Sequence, residues 1–263
     1  MRDEDNGLVG RLLDCQREIE ERKDDLTSWT DSLEELAEIQ DAFKTKGEYE
    51  LEGKTILDVG TDCIKPLYIA LKFKPNKIIG IDENLSYSYT SDIEQKSKLF
   101  TDTKIRLYNC SLFNKGTLTR IMEKERISRF DFVLVSKTLH HLRTEECVLK
   151  HEHQETEDCC VYRFDERKIF GKLLELGRRA IIYETIGRDV KDLDKTRGRG
   201  EYFTASEMAR TLKYLFETYK DNFQLIRPMN PALNNEKQSK IESLLRKVDT
   251  VCFYVQEQNL KDA

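Results

Sequence analysis

The feature that most constrains the fold is a series of short apolar runs, each ending in a polar turn and followed by a stretch of helical periodicity. A short continuous apolar run is typical of a strand that is buried on both faces of a parallel sheet. These runs predict strands at residues 55–60, 77–82, 104–108, 131–136, 179–184, 223–227 and 250–256. The stretches between them predict helices at residues 66–72, 91–99, 118–126, 165–176 and 204–219.

The order of these elements predicts the topology. Strands that alternate with helices form parallel sheets with helices on both faces. The last two predicted strands have no clear crossover helix between them, so we expect them to pair antiparallel at one edge. The predicted fold is therefore α/β, a doubly wound, mostly parallel seven-stranded sheet with an antiparallel edge hairpin.

The first fifty residues have a different pattern. Between residues 8 and 45, apolar residues recur at helical spacing on a strongly charged background. The segment Ser32-Leu-Glu-Glu35 is a capping box, which predicts the start of a second helix there. We therefore divide the 263-residue chain into an N-terminal helical extension, residues 1–52, and a main domain, residues 53–263.

Charge and cysteine content restrict the class of protein. Lys and Arg number 44 and Asp and Glu number 49, so the net charge is −5 and the basic footprint of a general nucleic-acid binder is missing. No apolar run is long enough to span a membrane, and the charged N-terminus does not resemble a signal peptide. The seven cysteines therefore favour thiols or metal ligands in a cytoplasmic protein. Nothing in the sequence sets the oligomeric state.

Polar residues at the ends of the predicted strands indicate where a ligand would bind. In a doubly wound sheet, ligands bind beyond the carboxyl ends of the strands. The residues at those ends are Asp58, Gly60, Thr61, Asp62, Asp82, Glu83, Asn109, Cys110, Ser111, Ser136 and Lys137. Asp82 follows the first turn by about 20 residues, the spacing at which a carboxylate binds the ribose hydroxyls of a nucleoside cofactor.

The first turn favours one class of nucleoside cofactor over another. It has one glycine, Gly60, and places Asp62 where a dinucleotide-binding turn has its second glycine. A carboxylate at that point disfavours the pyrophosphate of NAD or FAD, because like charges repel. A cofactor with a cationic amino-acid end tolerates it.

Three segments of the predicted sheet carry a set of motifs. They are residues 56–62 (ILDVGTD), residues 79–82 (IGID) and residues 131–141 (DFVLVSKTLHH). In this order and spacing they resemble the successive motifs of the class I S-adenosylmethionine-dependent methyltransferases. The resemblance covers about residues 53–256 and includes the edge hairpin. It implies S-adenosylmethionine as cofactor and methyl transfer to an acceptor that we expect to be a small molecule.

The resemblance also implies roles for individual residues. The turn with Asp58, Gly60 and Asp62 would approach the methionine part of the cofactor, and Asp82 would hold the ribose. Residues 109–111 would flank the adenine.

The end of the fourth strand, at Ser136 and Lys137, would border both cofactor and substrate. Two departures from the family pattern are visible. Two glycines of the usual D-x-G-x-G-x-G are missing, and Cys110 stands where an Asp is common. They keep open a second interpretation, a degenerate methyltransferase-like module that acts through a binding partner.

All four histidines lie within residues 140–153, with three cysteines in or beside the same stretch. Residues 139–142 (LHHL) resemble a segment that lines the substrate pocket in many small-molecule methyltransferases. Because imidazole titrates near neutral pH, His140 and His141 are the candidate catalytic bases. A zinc site is an alternative, since zinc prefers imidazole and thiolate ligands, although the spacing matches no standard zinc motif. A third alternative is that these histidines and cysteines are ordinary loop residues.

The substrate side includes two further candidates, Glu184 at the end of the fifth strand and Tyr202 before the next helix. Between them, residues 188–199 carry five Lys and Arg residues interleaved with acidic ones. This loop is either a solvated surface segment or a clamp for a phosphate or carboxylate. An RNA-directed methyltransferase is a further alternative based on this loop, and the overall acidity argues against it. The segment Thr204–Glu207 is a capping box that begins the following helix.

Overall fold

The computed structural model describes the main part of the chain from residue 51 onward. The described residues are 51–61, 64–85, 87–136, 138–139, 142, 165–187, 203–227, 238–248 and 250–257. The predicted N-terminal helices lie outside them, and the domain division at residue 53 stays a prediction. The chain divides into two compact units, Met1–Leu134 and Val135–Ala263.

Eight strands and six α-helices are found in the described part of the chain. The strands are β1 Thr55–Val59, β2 Lys77–Asp82, β3 Lys104–Asn109, β4 Phe132–Ser136, β5 Arg179–Gly187, β6 Phe203–Thr204, β7 Phe223–Arg227 and β8 Thr250–Gln256. The helices are α1 Ile64–Phe73, α2 Tyr87–Lys96, α3 Lys115–Glu125, α4 Glu166–Leu176, α5 Ala205–Tyr219 and α6 Gln238–Leu245. The strand order is β3-β2-β1-β4-β5-β8-β7, with β6 paired to β5. The predicted α/β fold is confirmed, with eight strands in place of the predicted seven.

The first unit contains the parallel strands β1, β2 and β3. The side chains at residues 56–59 and 78–81 are all buried, which explains why these runs show no polar alternation. The register places Val59 beside Ile81 and Asp82 beside Asn109. The polar residues that follow the three strands therefore emerge at the same edge of the sheet.

Helix α2 begins earlier than its sequence pattern predicts. The helix starts at Tyr87 and gives way to a short 3-10 helix at Ser97–Leu99, whereas the predicted range is 91–99. The buried residues include Thr90 and Ile93 in α2 and Ser97 in the 3-10 helix, and two of these three are polar. Small buried hydroxyl residues do not contribute to an apolar stripe, so the hydrophobic pattern marks only part of the helix.

A glutamate covers the edge strand β3. Glu94 in α2 accepts two hydrogen bonds from β3. Its Oε1 accepts from the backbone N–H of Leu107 at 3.0 Å, and its Oε2 accepts from the guanidinium group of Arg106 at 2.7 Å. An edge strand exposes unpaired N–H groups that can pair with another chain. The Glu94 carboxylate satisfies one of these groups.

A second, buried carboxylate lies at the end of α3. Glu125 accepts hydrogen bonds from Lys104 Nζ at 2.9 Å and Tyr108 Oη at 2.8 Å, and lies 3.2 Å from Lys77 Nζ. Burial alone would raise the pKa of Glu125, but these donors outweigh it and lower the pKa to about 2. Burial and the hydrogen bond to Glu125 raise the pKa of Tyr108. The carboxylate thereby links α3 to β2 and β3.

The second unit contains the antiparallel strands. β5 pairs with β8 from Arg179↔Gln256 to Thr185↔Thr250, and β7 pairs with the other side of β8, with an irregularity between Leu225 and Arg227. This confirms the predicted antiparallel pairing at the edge. The Thr204–Glu207 capping box is also present, with both reciprocal hydrogen bonds formed at the start of α5.

Two elements of this unit escape the sequence patterns. β6 has two residues and pairs with the last two residues of β5, which therefore extends to Gly187 and not only to Glu184. Among the side chains of α6 that the structure describes, Ile241 and Leu245 are buried, too few apolar residues to produce a recognisable stripe. Among the helices of the described residues, none has the length and apolarity that crossing a membrane requires.

Candidate functional site

The turn after β1 has a glycine conformation and is tightly held. Gly60 has φ +69°, in the region that favours glycine. Its N–H and the N–H of Thr61 both donate to the carbonyl oxygen of Ile81, at 2.9 and 3.1 Å. The turn is therefore attached to β2, and its backbone position is set by the sheet.

A second glycine makes room for the side chain of this turn. A Cβ on Gly80, in the middle of β2, would lie 2.6 Å from Thr61 Oγ1 and 2.6 Å from Leu107 Cδ2. A Cβ atom essentially never lies this close to a non-bonded heavy atom, so Gly80 is needed for Thr61 to pack across β2. Gly80 is part of the motif at residues 79–82, but the sequence gives it no role there.

A buried lysine lies directly beneath the turn. Lys65, in the first turn of α1, donates from Nζ to the carbonyl oxygen of Gly60 at 3.0 Å. The same Nζ lies 3.9 Å from Asp58 Oδ1, and both side chains are almost completely buried. The sequence motifs do not include Lys65. The available signal is a lysine beside Pro66 at the start of a mostly apolar helical segment.

The acid at the end of β2 is held in a defined conformation. Asp82 Oδ1 accepts the backbone N–H of Asn84 at 2.7 Å. Its backbone carbonyl accepts the N–H of Cys110 at 3.1 Å. Among the described residues, Asp82 Oδ2 accepts no hydrogen bond, and Glu83 beside it is exposed. One oxygen of the carboxylate thus orients the side chain and the other stays open to a ligand.

Asn109 positions the loop that carries this acid. Its Nδ2 donates to the carbonyl oxygens of Glu83 at 2.9 Å and Leu85 at 2.8 Å. A side-chain amide has two such hydrogens, so both are used in fastening the loop to the end of β3. Cys110 is buried, and its thiol donates to the carbonyl oxygen of Ser111 at 3.2 Å. Ser111 Oγ accepts the N–H of Phe113 at 3.3 Å.

The structure therefore brings one group of predicted site residues together within the first unit. These are Asp58, Gly60, Thr61, Asp82, Glu83, Asn109, Cys110 and Ser111. Their hydrogen bonds show different tasks: Asn109 fastens a loop, whereas Asp82 offers an open acceptor.

The remaining candidates belong to the second unit or lie outside the described residues. Ser136 is buried at the end of β4, and its carbonyl accepts the Thr138 hydroxyl at 2.8 Å. Glu184 is fully buried inside β5, and its Oε1 accepts the N–H of Thr185 at 2.9 Å. Asp62, Lys137, His140, His141 and Tyr202 lie outside the described residues, as do the Cys147–Cys160 segment and the basic loop. In the part that is described, no group of three or more His, Cys, Asp or Glu residues is arranged to hold a metal ion.

The geometry at β2 fits the ribose of a nucleoside. A carboxylate can accept from two neighbouring hydroxyl groups, and Asp82 has an open oxygen on a side chain whose orientation is already set. A glycine at the adjacent turn permits close approach of a ligand to the backbone. The residues present therefore suit a cofactor that combines a ribose with a second polar end.

Comparison with known proteins supports the fold at a distance. No protein-family model matches the sequence, and no curated protein matches it. Among solved structures, magnesium protoporphyrin IX methyltransferase from Synechocystis PCC 6803, with bound S-adenosylhomocysteine, is similar with a TM-score of 0.50 and 14% identity, over 93% of this chain and 94% of that chain. The methyltransferase domain of bacterial CtHen1 is similar with a TM-score of 0.47 and 16% identity, over 85% of this chain and 97% of that one. The chain thus has the Rossmann-like fold found in class I methyltransferases.

Proposed function

We propose that this protein transfers a methyl group from S-adenosylmethionine to a small-molecule acceptor. The observation that carries the proposal is Asp82, a carboxylate at the end of the second parallel strand with one oxygen fixed and the other open. This carboxylate lies beside a glycine turn in a sheet with methyltransferase fold, where a nucleoside cofactor would place its ribose.

The chain's part in this reaction is to bind and orient. When bound, S-adenosylmethionine supplies an electrophilic methyl group on its sulfonium. Asp82 would accept hydrogen bonds from the ribose hydroxyls, and the turn at Gly60 would approach the amino-acid end. Holding both reactants in line supplies a large part of such an acceleration, so a strong catalytic group is not required.

The acceptor side is proposed from the sequence. An acceptor that loses a proton needs a base, and His140 or His141 would serve, with Glu184 as the second choice. Ser136, Lys137 and Tyr202 would contact the acceptor or the cofactor. A zinc ion held by the His and Cys residues of the 140–160 segment stays the alternative for this part of the chain.

Calorimetric titration with S-adenosylmethionine and S-adenosylhomocysteine tests the cofactor. We expect one-to-one binding with a micromolar Kd for the wild-type chain. Asp82→Ala should weaken binding by about tenfold to a hundredfold, because it removes a charged hydrogen-bond acceptor. Asp102→Ala, an exposed acid of the same unit, is the matched control and should bind as the wild type does.

Unchanged affinity in Asp82→Ala would refute the site assignment. An absence of binding in a folded wild-type chain would refute the proposed cofactor and leave the second function, a non-catalytic module that acts through a partner. One observation favours that module: the ammonium group of Lys65 already lies against Gly60 and Asp58, where the amino-acid end of the cofactor would bind. Metal analysis of the purified protein separates the zinc alternative from the simple pocket histidines.

A further inference from the structure

Lys65 supplies a positive charge to the turn that, under the proposed function, faces the amino-acid end of the cofactor. Its Nζ donates a hydrogen bond to the carbonyl oxygen of Gly60 at 3.0 Å and lies 3.9 Å from Oδ1 of the Asp58 carboxylate. Both side chains are buried, at 5% and 0% exposure. Their charges therefore act on each other with little screening by solvent.

This ammonium is chemically the same group that a free α-amino acid end carries. A ligand ammonium approaching the turn would seek carbonyl and carboxylate oxygens, the acceptors that hold Lys65. We propose that Lys65 is a specificity-determining residue, which shares these acceptors with the ammonium of the ligand and so weakens the recognition of that group. The proposal rests on the proposed function, because that function places the amino-acid end here.

The charge balance gives the direction of the effect. With Lys65 present, a positive charge of the protein itself lies next to the Asp58 carboxylate. Replacing Lys65 by a neutral residue removes that charge from beside a buried anion, whose attraction for another cation then increases. A ligand with an ammonium group should then bind more tightly, and one without it should not.

The test compares two ligands in calorimetric titrations: S-adenosylhomocysteine and its deamino analogue, which lacks only the amino group. In Lys65→Met we expect the affinity for S-adenosylhomocysteine to rise on the order of tenfold, whereas the analogue gains nothing. Lys65→Arg keeps the charge and should leave the ratio of the two affinities near that of the wild type. Lys74→Met, an exposed lysine just after α1, is the matched control and should change neither affinity.

Two other results for a folded Lys65→Met variant overturn the proposal. An equal change for both ligands would mean that Lys65 only holds the shape of the turn. A selective loss for S-adenosylhomocysteine would mean that Lys65 supports the amino-acid end. If Lys65→Met does not fold, Lys65→Gln carries the same expectation. In the wild type itself, the amino group should improve affinity by less than about tenfold, and an improvement of about a hundredfold or more contradicts the proposal.

Failure of this inference is distinct from failure of the proposed function. If the folded wild-type chain binds neither ligand, the cofactor assignment is wrong. If it binds both and the ratio of affinities is the same in the wild type and Lys65→Met, only the role of Lys65 is wrong.

Discussion

Replacing Glu125 by Gln tests the buried charge cluster of the first unit. The side chain is 3% exposed and bonds to Lys104 and Tyr108, with Lys77 3.2 Å away. The pKa of Glu125 falls from an ordinary 4.5 to about 2 in the folded protein. At about 1.4 kcal/mol per tenfold change in the equilibrium constant, the ionised carboxylate contributes about 3 kcal/mol to the free energy of unfolding.

The pH dependence has a definite sign. Because the folded pKa is below the unfolded one, the stabilisation is complete above pH 4.5 and is lost as the pH falls through about 2. Gln cannot ionise, so Glu125→Gln should be less stable than the wild type by about 3 kcal/mol at pH 7. That difference should shrink steadily between about pH 4.5 and 2.

Urea unfolding followed by circular dichroism, at pH 7, 5, 4 and 3 and constant ionic strength, measures this difference. Glu123→Gln is the matched control, because Glu123 is exposed on the same helix and should change the free energy of unfolding by less than about 0.5 kcal/mol. A difference for Glu125→Gln that is the same at every pH would refute the reasoning. So would a loss at pH 7 no larger than that of the control.

Three further substitutions test the turn after β1, the N-terminal cap of α5 and the loop that carries Asp82. Gly80→Ala should destabilise the protein by about 2 kcal/mol in urea unfolding, because its Cβ would collide with Thr61. Thr204→Ala should cost about 1 kcal/mol by the same measurement, since it removes the hydroxyl of a complete capping box. Asn109→Ala should weaken S-adenosylhomocysteine binding about tenfold in calorimetry while lowering stability by less than about 1 kcal/mol, because the exposed amide holds residues 83–85.

Each of these three predictions has a control variant or a result that would contradict it. Gly171→Ala in α4 meets no atom within 4 Å, so it should stabilise the helix slightly, and a loss equal to that of Gly80→Ala would contradict the collision argument. Thr119→Ala, on the exposed face of α3, is the control for the cap. An Asn109→Ala variant with unchanged ligand affinity would show that the loop keeps its conformation without the amide.

The candidate site shows how far sequence reasoning reaches. Gly60 and Asp82 follow directly from short motifs at strand ends, because a buried strand and its turn are local features. The task of Asn109 does not follow, since its partners lie 24 and 26 residues earlier in the chain. The sequence places Asn109 at the end of β3 but does not show that its amide is directed at the loop.

The same division applies to the whole molecule. The sequence by itself determines the α/β fold and the antiparallel pair of strands at its edge, because apolar runs, helical periodicity and capping boxes depend on residues that are close in the sequence. Only the tertiary structure decides that Gly80 makes room for Thr61, that β6 pairs with the end of β5, and that the ammonium group of Lys65 lies near the Asp58 carboxylate. These depend on close approach in three dimensions and on the charge balance of buried groups, which no local pattern encodes.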